Sequence, residues 1–339
     1  MDRWTGILRS AALALPSPQG GGSHFKVAAS LCLSSTSGTL AAPSTNAVFF
    51  TGDRVRGTGT GNRIIEELSE SANIARLLVS KLGVRGEAGA VNAWVVDAAC
   101  FSGPFAVYRE FVPSVDSLGN PARYEGEGFP ASTSIVALLS DCVRQARDIV
   151  TNRRGLAATN MDLTTSVSSF IPRTILLGFS KGGIILNQIL AEIASLDPKT
   201  ADPCLGIRNS SAASLRNEDQ FFPGSKNCFL QSISEFHYID VGLNCPGAYL
   251  TDHTTIKKVA DHICHCGDNA RFVVHGTPRQ WFDMHRPWIF KEKERLLELL
   301  EEEAQRTGGK IGTKQRLYFE DRSPSLEMHF EIIKEMDLS

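Results

Sequence analysis

One stretch of the chain carries a serine in a setting that suits nucleophilic catalysis. Ser180 has a glycine two positions away on either side, at Gly178 and Gly182, so the segment reads G-x-S-x-G. A short apolar run at 174–177 precedes this segment and a helical pattern at 182–196 follows it. This context predicts a nucleophile elbow, in which a tight turn lifts the hydroxyl above a sheet and the next helix directs its amides toward a developing oxyanion.

A serine at an elbow needs a general base, which is expected to come last in the chain order serine, acid, histidine. His329 follows the last predicted strand and opens the last predicted helix, so we assign it as the base. His275 ends the preceding strand, and we interpret it as a strand-end histidine that hydrogen-bonds to backbone.

The acid and the oxyanion donors come from other loops. Asp283 lies in the loop after the strand that His275 ends, and it is favoured as the acid; Asp240, at the end of the strand before that, is the alternative. Either carboxylate could instead cap a helix or form a turn. The amide of Lys181 is the expected first oxyanion donor, and the Gly52-Asp53 turn after the first buried strand is expected to supply the second.

Alternating strands and helices are predicted to hold these residues. Short apolar runs predict strands at 47–51, 93–96, 174–177, 236–239, 271–274 and 316–319. Apolar residues spaced by three and four predict helices at 64–82, 134–150, 182–196, 254–263 and 287–305, the first interrupted near 69–71. The alternation predicts an α/β protein with a mostly parallel central sheet and helices on both faces.

Two regions depart from this alternation. Residues 1–45 are predicted to form an N-terminal segment, with a possible antiparallel edge strand at 25–33 and a linker, before a hydrolase domain at 46–339. Residues 1–16 resemble a short mitochondrial transit segment or a frayed terminus. The region 197–228, rich in Pro, Asn, Ser and Asp, is predicted to be a lid or a disordered insertion.

Composition excludes several classes of protein. The chain has 339 residues, 35 Lys and Arg against 37 Asp and Glu, and 42% hydrophobic residues, which is enough for a large core and too balanced in charge for a dedicated nucleic-acid binder. No apolar run is long enough to span a membrane. The cluster at 262–266 has poor spacing for zinc, so neither a metal nor a cofactor is expected.

Beyond these patterns, the chain from about residue 46 onward resembles the chromosome-two open-reading-frame sixty-nine family, and its N-terminus resembles the plant branch. The resemblance rests on the motifs at 49–53, 178–182, 186–190, 239–240, 277–278 and 324–326, and on Gln280, Asp283, Arg286, Trp288, His329 and Phe330. In this sequence 241–244 departs from the animal pattern. The resemblance implies an α/β-hydrolase fold with Ser180 as nucleophile and His329 as base, and a mitochondrial location.

Two functions are therefore expected as alternatives. In the first, the protein is a serine hydrolase of the esterase, lipase or thioesterase type that forms an acyl-enzyme on Ser180 and acts on a small acyl or lipid-like substrate. In the second, the fold is catalytically silent and serves a binding or regulatory role in mitochondria. A cytoplasmic location is the alternative to a mitochondrial one.

Overall fold

A single eight-stranded sheet organises the protein. The computed structural model describes residues 2–11, 24–55, 61–83, 90–153, 171–197, 220–267 and 269–339. The strands of the main sheet are β1 (Arg3–Ser10), β2 (Phe25–Cys32), β3 (Thr45–Phe50), β4 (Val91–Val96), β7 (Arg173–Phe179), β8 (Ile233–Ile239), β9 (Ala270–Gly276) and β10 (Ile311–Leu317). A separate hairpin pairs β5 (Cys100–Ser102) with β6 (Phe105–Val107).

The order and direction of the strands define the fold. The main sheet runs β1-β2-β4-β3-β7-β8-β9-β10. The pairs β1–β2 and β2–β4 are antiparallel, and every other pair in the sheet is parallel. This is the mostly parallel sheet of an α/β-hydrolase, so the predicted fold class is confirmed.

Helices cover both faces of this sheet. They are α1 (Arg63–Leu68), α2 (Ser71–Gly83), α3 (Pro130–Arg153), α4 (Gly183–Ile193), α5 (Lys226–Ser232), α6 (His253–Cys266), α7 (Pro278–Trp281), α8 (Pro287–Arg306) and α9 (Leu326–Glu335). Side chains of β3 alternate between two apolar cores, since Val48 and Phe50 pack in one and Ala47 and Phe49 in the other. Helices α1, α2 and α9 contribute to the second core, and α3, α4, α5, α6 and α8 contribute to the first.

The N-terminal region differs from the prediction. Residues 3–10, expected to be a frayed terminus or a transit segment, form β1, the edge strand of the main sheet. The predicted edge strand at 25–33 is instead the second strand, paired on both sides. Strands β1 and β2, which precede the predicted boundary at residue 45, therefore belong to the same sheet as β3, which follows it.

Two further predictions need comment. The last strand is Ile311–Leu317 rather than 316–319. Its central residues, 313–316, are polar and three of them are exposed, so apolar patterning could not find it. Of the predicted lid at 197–228, residues 198–219 lie outside the described residues, and residues 226–228 begin helix α5, where the Ser225 hydroxyl accepts a hydrogen bond from the Cys228 amide.

Candidate active site

The predicted elbow forms at the carboxyl end of β7. Ser180 directly follows this strand and begins a 3₁₀ turn, Ser180–Gly182, that leads into α4. Its φ is +52°, a left-handed backbone conformation that costs a non-glycine residue about 1–3 kcal/mol. A Cβ at Gly182 would lie 2.3 Å from the Phe50 carbonyl oxygen, which explains why this motif position must be glycine. The elbow is therefore a strained, closely packed turn rather than a loop.

The backbone at Gly52 lies against the serine. A Cβ on Gly52 would be 2.5 Å from Ser180 Cβ and 3.0 Å from Ser180 Oγ. The turn after β3, where a second oxyanion donor is predicted, thus approaches the nucleophile as closely as a backbone can. No larger residue fits here without displacing the serine.

His329 is held against a carboxylate, and that carboxylate is Asp240. The imidazole lies near the start of α9, whose first turn is capped by the Ser325 hydroxyl accepting from the Met328 amide at 3.2 Å. The distance from His329 Nδ1 to Asp240 Oδ2 is 2.6 Å. Because an ionised carboxylate can only accept, this contact places a proton on Nδ1 and leaves Nε2 for chemistry on the other side of the ring.

The surroundings of Asp240 hold its carboxylate in place. Asp240 follows β8 directly, is fully buried and has a φ of +46°. Its Oδ1 accepts from the Thr277 amide at 2.7 Å and its Oδ2 from the Thr277 hydroxyl at 3.0 Å. Its own amide donates to the His275 carbonyl at 2.7 Å. These bonds tie the ends of β8 and β9 together and compensate the buried charge of the carboxylate.

Asp283, the acid favoured from sequence, contacts other groups. Its carboxylate accepts from Arg286 Nε at 2.8 Å and from the His285 amide at 2.9 Å. Burial acts to raise the pKa of Asp283, but these hydrogen bonds and the Arg286 charge together lower it. The sequence-based preference for Asp283 as the acid is therefore corrected, because the carboxylate that contacts His329 is that of Asp240. Asp283 shapes the turn before α8, whereas Asp240 sits at the strand end beside the imidazole.

Lys181 has a role for its side chain that the sequence did not indicate. Its ammonium group is 2% exposed, donates to the Leu118 carbonyl at 2.8 Å and lies 3.3 Å from Asp53 Oδ1. Asp53 Oδ1 also accepts from the Ala106 amide at 2.8 Å. The ion pair therefore links the two predicted oxyanion donors, the residue after the serine and the turn after β3, through their side chains.

Ser180 and His329 line the same cavity, which has a volume of about 470 Å³. Apolar side chains form part of its wall, among them Val55, Phe105 and Leu243. A neighbouring cavity is smaller, with a volume of about 260 Å³. The two cavities share the lining residues Asp53, Arg54, Val55 and Phe330. The nucleophile and the base thus face one cavity next to a second one.

Sequence reasoning missed several polar residues of this cavity as site residues, and three of them, Arg54, Arg279 and Gln280, lie shortly after strand ends. Gln280 belongs to the motif residues that carry the family resemblance, and Arg279 precedes it in the turn that follows β9. Position after a strand end was the available signal for all three, but the same signal marks many turn residues. In the described part of the chain, no three His, Cys, Asp or Glu side chains are arranged to hold a metal ion.

Comparison with known sequences identifies a family. The sequence model of the C2orf69 family matches residues 133–305, slightly more than half of the chain. The matched range contains Ser180, Lys181, Asp240 and Asp283 and ends before His329.

Individual relatives carry the same family name. The Danio rerio mitochondrial protein C2orf69 homolog is 27% identical over 252 residues, which is 72% of this chain and 60% of that protein. Mitochondrial protein C2orf69 of Homo sapiens is 26% identical over 178 residues, 49% of this chain and 36% of that protein. The chain thus spans less than two thirds of the length of these relatives.

Solved structures of low sequence identity also align. The carboxylesterase Cest-2923 from Lactobacillus plantarum is 10% identical, with a TM-score of 0.38, over 94% of this chain and 83% of that chain. An IroE-like serine hydrolase from Shewanella oneidensis is 9% identical, with a TM-score of 0.38, over 98% of this chain and 78% of that chain.

Proposed function

Because this chain belongs to the C2orf69 family and has an α/β-hydrolase fold, we propose that it is a serine hydrolase acting on ester or thioester bonds through an acyl-enzyme on Ser180. The observation that carries the proposal is the 2.6 Å contact between the buried carboxylate of Asp240 and His329, which lines the same cavity as the elbow serine. A nucleophile, a base and an orienting acid are the minimum set for acyl transfer.

Each residue has a distinct part in the proposed reaction. His329 Nε2 removes the hydroxyl proton of Ser180 as Oγ attacks the carbonyl carbon, and Asp240 stabilises the imidazolium that forms. The amides of Lys181 and Asp53 stabilise the oxyanion. The imidazolium then gives its proton to the leaving alkoxide or thiolate, and a water activated by His329 releases the acyl group and restores Ser180.

We place this activity in mitochondria, because the relatives are named as mitochondrial proteins. The apolar part of the cavity wall favours a small acyl or lipid-like substrate. Within the described ranges, no helix combines the length and the apolar character needed to cross a bilayer.

A fluorophosphonate probe tests the proposal directly. Such a probe phosphonylates only an activated serine, so the wild-type protein should label and Ser180→Ala should not. Ser195→Ala is the matched control, since Ser195 lies just beyond the end of α4 and its hydroxyl bonds only to the Ala191 carbonyl at 3.0 Å. Circular dichroism establishes that each variant is folded. A folded wild-type protein that never labels between pH 6 and pH 9 contradicts the proposal and favours the binding or regulatory role.

A further inference from the structure

The cavity at Ser180 is lined by more positive than negative charge. Arg54, Lys181, Arg279 and Arg286 line it, and Asp53 is the one carboxylate among the described lining residues. An excess of cations lining a cleft attracts anionic ligands and repels cationic ones. Some of these charges are neutralised by partners within the protein, and others are not.

Two of the four cations have partners within the protein. The Lys181 ammonium lies 3.3 Å from Asp53 Oδ1 and is almost completely buried, so this ion pair is part of the elbow. The Arg286 guanidinium donates to Asp283 at 2.8 Å. The side chains of Lys181 and Arg286 are therefore explained by local structure and leave no net charge for a ligand.

Arg279 is different. Its Nε is buried and has no hydrogen-bond partner, and no carboxylate of the described residues forms an ion pair with its guanidinium. A guanidinium carries five N–H donors in a fixed fork, and a buried donor left unpaired is unfavourable. The protein thus keeps an uncompensated cation in the wall of its candidate active site.

Gln280, the next residue, adds a second uncompensated group. Its side chain is 4% exposed and its Oε1 also lacks a hydrogen-bond partner in the described structure. The two atoms lie in the same cavity wall and differ in kind: Arg279 Nε donates, so an anionic oxygen of a ligand can complete it, whereas Gln280 Oε1 accepts and is completed by an N–H or O–H group of a ligand.

Arg54 supplies a second charge, for which no carboxylate of the described residues forms an ion pair. Its guanidinium stacks on the Phe101 ring with 3.5 Å from Cζ to the ring centroid, and its amide donates to the Pro104 carbonyl at 2.8 Å. Stacking orients the planar group without neutralising it. Arg54 lines both neighbouring cavities, so its charge acts on a ligand in either one.

We propose that Arg279, supported by the charge of Arg54, is an anion subsite, and that the substrate carries a carboxylate or a phosphate in addition to the bond that is cleaved. This inference rests on the proposed hydrolase activity and narrows its substrate class to anionic acyl compounds. The guanidinium fork of Arg279 binds the anionic oxygens, while Val55, Phe105 and Leu243 contact the apolar part of the substrate.

Matched substrate pairs separate the two positions that the anion can occupy. Mono-4-nitrophenyl adipate and 4-nitrophenyl hexanoate have acyl chains of the same length and differ in a terminal carboxylate. S-hexanoyl-4′-phosphopantetheine and S-hexanoylpantetheine differ in a phosphate on the leaving group. In at least one pair, kcat/KM should favour the anionic member by about 10- to 100-fold, the range expected for a hydrogen bond to a charged group.

Variants assign that preference to Arg279. Arg279→Gln should reduce it nearly to unity, and Arg279→Lys should restore part of it because the charge returns without the fork. Arg295→Gln is the control, since Arg295 lies on α8, outside the cavity lining, and pairs with Glu298 at 3.1 Å. The subsite is overturned if neither pair shows a preference, or if Arg279→Gln leaves it intact.

A binding measurement keeps this inference separate from the activity. Monoethyl adipate and ethyl hexanoate are titrated into Ser180→Ala protein and followed by ligand-observed NMR. Monoethyl adipate should bind about tenfold more tightly than ethyl hexanoate, and this difference should disappear in Ser180→Ala/Arg279→Gln. If the protein neither labels nor hydrolyses but shows this difference, the hydrolase proposal fails and the anion subsite stands. The same titration with 4′-phosphopantetheine and pantetheine covers an anion on the leaving group. Equal binding within both pairs of compounds overturns the subsite whatever the activity.

Discussion

In the part of the chain that the structure describes, His329 and His237 are buried and each contacts a carboxylate, but the two lie in different surroundings. His329 contacts Asp240 at the carboxyl edge of the sheet and lines the cavity with Ser180. His237 is fully buried in β8, where Nε2 lies 2.9 Å from Glu235 Oε2 and Nδ1 lies 3.0 Å from His275 Nε2. The first imidazole has one ring nitrogen held by the acid, and the second has both ring nitrogens held by the protein.

The second cluster continues across the sheet. His275 Nδ1 lies 3.0 Å from the Tyr318 hydroxyl, and Arg271 donates to Glu235 at 2.6 Å. This chain of bonds compensates polar groups buried between strands, so its role is structural. A histidine–carboxylate contact therefore does not by itself define a catalytic site. The strained serine and the cavity distinguish His329 from His237.

The largest expected effect comes from removing one imidazole or the other. His329→Gln should lower kcat/KM for 4-nitrophenyl hexanoate by at least about 10⁴-fold, because the base acts as a unit with the nucleophile. His237→Gln should leave kcat/KM within about threefold but lower the free energy of unfolding by about 1–3 kcal/mol, since it breaks a buried hydrogen-bond chain. Steady-state kinetics and urea unfolding measure the two effects. A large loss of activity in His237→Gln would remove the distinction.

The second-largest expected effect shows which carboxylate, that of Asp240 or that of Asp283, orients His329. Asp240→Asn should lower kcat by roughly 10³- to 10⁴-fold, because an amide at this position favours the wrong imidazole tautomer. Asp283→Asn should change kcat by less than about tenfold, since it removes one partly exposed ion pair with Arg286. Both variants keep side-chain size, and thermal unfolding verifies that they fold. Equal losses would mean that Asp240 does not orient His329.

A smaller effect tests the close approach at Gly52. Gly52→Ala places a Cβ 2.5 Å from Ser180 Cβ, so the nucleophile must shift, and kcat/KM should fall by about 10²-fold. Gly83→Ala, where a Cβ has no atom within 4 Å, is the control and should leave kcat/KM unchanged. Fluorophosphonate labelling rates for both variants provide a second measurement. Normal labelling in Gly52→Ala would show that the turn after β3 does not constrain the serine.

The smallest effect concerns pH and the histidine cluster. Burial, together with the nearby His237, holds the pKa of His275 well below its usual value. The unfolded chain then binds a proton on His275 near pH 6.5, whereas the folded protein does not. The contribution of neutral His275 to the free energy of unfolding is therefore fully present above about pH 6.5 and is lost as the pH falls toward the folded-state pKa. Urea unfolding at pH 7.5, 6.0 and 5.0 measures this effect. The free energy of unfolding should fall less steeply with decreasing pH in His275→Gln than in wild type. The same pH dependence in both proteins would contradict the assignment.

Local sequence determined the parts of this protein that depend on neighbours along the chain. The elbow at Ser180, the break between α1 and α2 near residue 70, and the alternation of strands and helices follow from residue spacing, glycine positions and apolar periods of about 2 or 3.6 residues. The family was also recognisable from motifs read along the chain. These signals are local, so one sequence is sufficient to detect them.

Which distant groups come into contact depends on the folded chain and not on local sequence. Asp240 and Asp283 both follow strands, and the choice between them depended on which one the fold brings to His329, 89 positions beyond Asp240. Strand β1 was missed because its pairing with β2, rather than its own apolar pattern, makes it a strand. The uncompensated charge of Arg279 is likewise a property of its neighbours in space. Pairing, burial and compensation of charge are set by contacts between segments far apart in the chain, and spacing along the sequence does not encode them.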